Sequence, residues 1–115
     1  MYIFRKKLEK IDMGGGVIRQ YLGECTKMNA QHWDMADGSM VKLHTHPQEQ
    51  FGYVIKGGFR MTIGNEIKDL GEGDAYFIPP DVPHEFTALG QTEAIDIFSP
   101  IKTDFPWMKD GKDRK

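Results

Sequence analysis

At 115 residues the chain is long enough for one domain, residues 1–115, with a core of its own, and too short for two. Fifteen basic against seventeen acidic residues leave no global basic field for nucleic acid, and the single cysteine, Cys25, excludes an internal disulfide. No segment approaches the roughly 20 apolar residues of a membrane span. The N-terminal "MYIFRKKLEK" turns charged at Arg5 before any apolar run that a signal peptide needs. These features predict a cytoplasmic protein without nucleic-acid or membrane partners.

In chain order, residues 5–10 allow a helical turn or two, as do 101–109. Between them thirteen glycines and six prolines cut the chain into short runs: "VIRQYLGE", "KMNAQHWDM", "MVKLHTH", "QFGYVIKG", "FRMTIG", "AYFIP", "HEFTAL" and "EAIDIF". These runs are rich in β-branched and aromatic residues and are separated by turn phrases such as "ADGS", "LGEGD" and "PPDVP". The pattern predicts an all-β sandwich or small barrel. Gly57-Gly58 and Gly64-Asn65 are expected to turn two successive hairpins.

Three of the four histidines fall in two of these phrases. His44 and His46 stand two apart in a run that reads as a strand, so their imidazoles project to one face. His84 lies in the Pro-rich "PPDVPHEF". Two rings on one face plus a third from a second patterned segment suit a divalent metal ion. Gln50 and Glu49 begin the next run. Parity favours Gln50 as a fourth ligand, because it shares a face with Gly52 and Val54, and Gly52 would leave room for a bound molecule. Phe51, Tyr53 and Ile55 form the other face, whose bulk suits packing between layers. His32 reads as an ordinary surface or satisfied core residue.

The two phrases resemble the paired motifs of the cupins. The first is Gly38, "SMVKL", His44-Thr-His46, "PQE", Gln50, "FGYVIK", Gly57. The second is Gly73, "DAYFI", Pro79-Pro-Asp81, "VP", His84, "EFT", Ala88. The motifs occupy 38–57 and 73–88 and imply a double-stranded β-helix, a jelly-roll barrel. They also imply one divalent ion (Ni, Zn, Fe, Mn or Co) on His44, His46, Gln50 and His84. Gln50 stands where the family usually has Glu, so the ion keeps its full double positive charge and is the stronger Lewis acid. Asp81 replaces a Gly and Ala88 an Asn. With "AIDIFSPIKTDF", the phrases are similar to the small cupins of pectin degradation, which convert a 4,5-unsaturated uronate from pectin or alginate into its linear keto form.

Asp96 interrupts the apolar "AIDIF", where a carboxylate is costly to bury without a purpose or a partner. Period 2 puts it on one face with Ala94 and Phe98. If that face lines the barrel, desolvation raises its pKa toward the range useful for proton transfer. The alternative is a buried Asp satisfied by a hydrogen bond or salt bridge. The resemblance implies Asp96 as catalytic group and Phe98 and Lys102 as substrate-binding residues. Arg is usual at the position of Lys102, and Lys, a point charge, cannot grip a carboxylate as a fork. Lys42, which alternation puts on the face of His44 and His46 but whose long stem favours snorkelling to solvent, and Arg60 are further candidate cations. A non-catalytic sugar-binding cupin and an iron-dependent dioxygenase remain alternative readings. The resemblance and the apolar "YIF" and "FPWM" segments suggest a homodimer.

Overall fold

The computed structural model of the protein describes residues 1–103. The "FPWM" segment and the part of the expected 101–109 helix from 104 on lie outside the described residues. A short 3-10 turn at Arg5–Lys7 precedes ten strands: β1 (Ile11–Gly14), β2 (Val17–Glu24), β3 (Asn29–Met35), β4 (Met40–His44), β5 (Glu49–Lys56), β6 (Gly58–Ile63), β7 (Glu66–Gly71), β8 (Ala75–Ile78), β9 (His84–Ala88) and β10 (Thr92–Ser99). They form two antiparallel sheets, ordered β1-β2-β3-β10-β5-β8 and β4-β9-β6-β7. Strands distant in sequence pair with one another (β3 with β10, β4 with β9), as in a jelly roll, and the sheets face each other across the core.

Alternation builds that core. In β10, Thr92, Ala94, Asp96 and Phe98 are buried while Glu93, Ile95, Ile97 and Ser99 are half-buried on the outside. The inner faces supply Trp33, Met35, Val54, Phe59, Met61, Ile78 and Phe86. Phe86 meets Trp33 edge-on at 5.6 Å between ring centroids and Phe59 at 4.9 Å.

Three local expectations need correction. Gly64-Asn65 does join a hairpin, with Ile63 opposite Glu66. Gly57, however, takes the chain from one sheet to the other, since β5 and β6 belong to different sheets. Gly57 has φ +80°, and a Cβ there would lie 2.3 Å from the Gln91 carbonyl oxygen, so both conformation and space demand glycine. In β5 the aromatic set faces outward: Tyr53 and Ile55 are exposed, whereas Gln50, Gly52 and Val54 are buried. Nor does Gly52 leave a ligand space. A Cβ there would fall 2.0 Å from Cζ of Tyr76, whose ring occupies that room.

Candidate metal centre

Register explains what Gly52 is for. On the inner face of the larger sheet, Tyr76, Gly52, Asp96 and Gln31 stand in one cross-strand row from β8 to β3. With no side chain at Gly52, the Tyr76 ring lies across β5, and its hydroxyl donates to Asp96 Oδ1 at 2.6 Å. The adjoining row holds Val54, Ala94, Trp33 and Arg19. From there the Trp33 indole N–H donates to the other oxygen, Oδ2, at 2.5 Å. Asp96 is wholly buried, and burial raises its pKa above the usual carboxylate value, against the donors Tyr76, Trp33 and Gln50 and the charge of Arg19. The two expectations for this residue therefore hold together: it is desolvated, and it is hydrogen-bonded.

The three histidines arrive from two strand ends, His44 and His84, and one loop, His46. β4 ends at His44, so His46 lies beyond the strand rather than within it. The β4–β9 pairing is irregular between Val41 and His44, which sets His44 opposite His84 and breaks the alternation that would have placed Lys42 beside it; Lys42 is exposed at the rim. Ring centroids lie 4.2 Å apart for His44 and His84, 4.9 Å for His46 and His84, and 5.7 Å for His44 and His46. Asp81 closes the arrangement. It takes φ +65°, which Asp tolerates better than most residues, and its N–H donates to the His46 carbonyl at 2.9 Å, tying the two loops together.

Each imidazole has its Nδ1 against a backbone carbonyl: His44 on Lys42 at 2.7 Å, His46 on Gln48 at 3.0 Å and His84 on Val82 at 2.8 Å. A carbonyl only accepts, so Nδ1 carries the proton and Nε2 presents a lone pair. Burial lowers the pKa of His46, and that of His84 to about 4, so both are neutral near pH 7. His84 Nε2 is buried with no hydrogen-bond partner. His46 Nε2 stands 3.0 Å from Gln50 Oε1. The Gln50 amide also bonds to Asp96, a carboxylate, which takes its NH2 and leaves Oε1 turned to His46. Two acceptors then face each other beside a third without a donor. A cation satisfies all of them, and the three histidine nitrogens are close enough together to hold one. Glu49, the rejected alternative to Gln50, is exposed.

A cavity of about 330 Å³ opens between the sheets beside this cluster. His44, Gln50, Asp96, Phe98 and Lys102 line it, as does Arg19, which the sequence did not single out. Phe98 packs edge-on to His46 at 5.5 Å, and the Lys102 ammonium lies 5.9 Å from the Phe98 ring. Asn29 clamps the Lys102 backbone on both sides, donating to its carbonyl at 2.7 Å and accepting from its N–H at 3.1 Å. Arg60 is no part of the cavity; it forks onto its cross-strand partner Asp69 at 2.8 and 2.9 Å on the exposed face of β6–β7. His32 is buried on the outer face, 2.7 Å from Glu93. Tyr76 also went unnoticed in the sequence; a glycine inside a strand opposite a tyrosine was its only signal.

Residues 31–98 match the family described as Cupin domain. The pectin degradation protein KdgF of Dickeya dadantii is 29% identical over 96 residues, covering 82% of this chain and 87% of its own. An RmlC-like cupin from Shewanella frigidimarina superposes with a TM-score of 0.86 at 35% identity, over 90% of this chain and 94% of that one. KdgF from a Halomonas species does so at 0.85 and 26%, over 90% and 96%. The matches to two other curated relatives span only 15% and 43% of those relatives' length. No helix among the described residues is long and apolar enough to cross a membrane.

Proposed function

The chain belongs to the cupin family, and from that premise we propose that it opens and tautomerises a 4,5-unsaturated uronate monosaccharide into its linear keto form. The observation that carries this reading is Asp96, a fully buried carboxylate on the wall of a cavity that the histidine cluster also borders. The likeness to pectin degradation proteins supplies the substrate class.

His44, His46 and His84, with their Nε2 lone pairs, and Gln50, with its amide oxygen, would hold one divalent cation. When bound, that cation is a Lewis acid that draws negative charge from the sugar's oxygens. The rest falls to the chain's own residues. The anomeric hydroxyl loses its proton to Asp96 and becomes the aldehyde carbonyl as the bond from C1 to the ring oxygen breaks. The electron pair stays on that oxygen as the C5 enolate. Asp96 returns the proton to C4, and C5 becomes a ketone, so the reaction is a balanced isomerisation. Desolvation gives Asp96 the proton affinity this needs, while Tyr76 and Trp33 fix both its oxygens so that it does not rotate away. Phe98 packs against the sugar, and Lys102 contributes positive charge beside it.

The test is to mix protein of measured metal content with the unsaturated monouronate and follow the loss of its ultraviolet absorbance. Wild type should outrun buffer, and Asp96→Asn should lose about 10²- to 10⁴-fold in rate with its metal content unchanged. A metal-loaded wild type no faster than buffer ends the reading. We also infer a homodimer, from the exposed Tyr2, Phe4 and Phe77 at 87, 64 and 74% exposure, to be checked by light scattering.

A further inference from the structure

Among the described residues, three cations line the cavity, Arg19, Lys42 and Lys102, against one carboxylate, Asp96. Such a wall selects an anion. The three are not equivalent. Lys42 is exposed at the rim. Lys102 is a compact point charge on a flexible stem and cannot form the planar fork that matches a carboxylate. Arg19 can, and it is held in place to do so. Its guanidinium carbon lies 4.2 Å from the Trp33 ring centroid, directly across the strand pair that places Arg19 opposite Trp33. Stacking engages the face of the guanidinium, and a guanidinium held by its face recognises a carboxylate through its planar N–H edge. The same indole donates to Asp96, so one rigid ring spaces the cation from the proposed proton carrier.

Gln31, in the row of Asp96, adds a second feature. It is 98% buried, lines the cavity, and its Oε1 has no hydrogen-bond partner among the described residues. A buried acceptor left without a donor costs about 1–3 kcal/mol, and a hydroxyl entering the cavity would meet that need. We propose that Arg19 and Gln31 are the specificity residues of the cavity: Arg19 grips the carboxylate of a sugar acid as a fork, and Gln31 accepts a hydrogen bond from one of its hydroxyls. This rests on the uronate reading above for the substrate, but the binding claim can be tested without turnover.

The experiment compares wild type, Arg19→Lys and Gln31→Met. Calorimetric titration with D-galacturonate and with neutral D-galactose reads binding. Turnover is followed on the unsaturated monouronate and on its methyl ester, with melting temperature and metal content measured throughout. Wild type should bind galacturonate and not galactose. Arg19→Lys should weaken uronate binding and raise KM for the acid at least 10-fold, with kcat within about 3-fold and KM for the ester unmoved. Gln31→Met should weaken binding about 5- to 10-fold while its melting temperature holds or rises, a combination that a merely structural glutamine would not give. Arg19→Lys with wild-type affinity, or an equal loss on acid and ester, overturns the role of Arg19. Gln31→Met that melts lower and binds as wild type does overturns that of Gln31. Arg19-dependent binding without turnover by wild type would sink the proposed reaction and leave this inference standing. Wild type that neither binds galacturonate nor turns over the uronate sinks both.

Discussion

A histidine-and-carboxylate group lies against each face of the larger sheet, the inner one completed by His44 of β4 and His84 of β9 from the facing sheet, and the two are built on opposite principles. Outside, His32 of β3 meets Glu93 of β10 at 2.7 Å, the Arg5 guanidinium stands 3.9 Å from the same carboxylate, and Asp34 lies 3.8 Å from the other imidazole nitrogen. The imidazole and the Arg5 cation already answer the Glu93 carboxylate, although His32 Nδ1 has no hydrogen-bond partner among the described residues. Inside, three Nε2 atoms and the Gln50 oxygen converge as acceptors, their Nδ1 protons all spent on backbone carbonyls. The residue types are alike on both sides. What separates a site from a structural cluster is whether donors are supplied from within, and the inner group leaves that to something that binds.

The largest test of this contrast is removal of one member from each side. His84→Ala should lower affinity for a divalent ion by on the order of 100-fold or more, read by metal content after dialysis, because the shell loses an Nε2 that no other residue replaces. His32→Ala should leave that stoichiometry unchanged. Equal losses from both would erase the distinction between the two sides.

Next in size is an acid sensitivity confined to the inner group. His84 titrates at about 4 in the folded chain, depressed first by burial and then by the charges of His44, His46 and Lys102. Its unfolded value is about 6.5. Between those values the unfolded chain binds a proton that the native chain refuses, so stability falls as pH drops from about 6.5 toward 4 and is unaffected above that window. The loss is about 2–3 kcal/mol for His84, and His46, lowered in the same direction, adds to it. Denaturant unfolding of chelator-treated protein at pH 7.5 and 4.5 measures it. In His84→Ala the difference should shrink by most of that amount.

Gly52→Ala probes the row that carries Asp96. The added Cβ would sit 2.0 Å from the Tyr76 ring, flanked by strands on both sides, so it must displace that ring. We expect about 1–3 kcal/mol of lost stability from overpacking, together with a lower kcat as the Tyr76–Asp96 bond is lost. An alanine variant that melts like wild type would mean the row is looser than its distances.

These residues also mark how far the sequence could be read. The histidines, Gln50 and the burial of Asp96 were legible because each depends on a spacing of two within a strand or a fixed motif length. The run of β4 misled where a bulge between Val41 and His44 broke that period. Tyr76, Arg19, Trp33 and Gln31 were illegible for another reason. Each is brought to Asp96 or to the cavity beside it by the register of β2, β3, β5, β8 and β10, which pairs residues far apart in the chain, and no local pattern encodes it. The direction of Phe51, Tyr53 and Ile55 was misjudged on the same account. Bulk alone suggested an inner face, yet the space inside opposite Gly52 was already taken by a residue from β8.

The smallest expected effect is the sharpest check on the outer side. Glu93→Gln keeps the shape of the side chain and an atom able to bond His32, but removes the charge beside Arg5. With both partners of the Arg5–Glu93 pair reached by solvent, at 42 and 28% exposure, the ionic part is screened. The cost should be no more than about 1 kcal/mol. Uronate turnover and metal stoichiometry should not move, since Glu93 points away from the cavity on the strand whose next inward residue is Ala94. A wild type that holds two ions per chain and a Glu93→Gln variant that holds one would reverse the comparison. It would mean that His32, Asp34 and Glu93 draw in a cation despite Arg5, and that a supplied donor does not mark a cluster as structural.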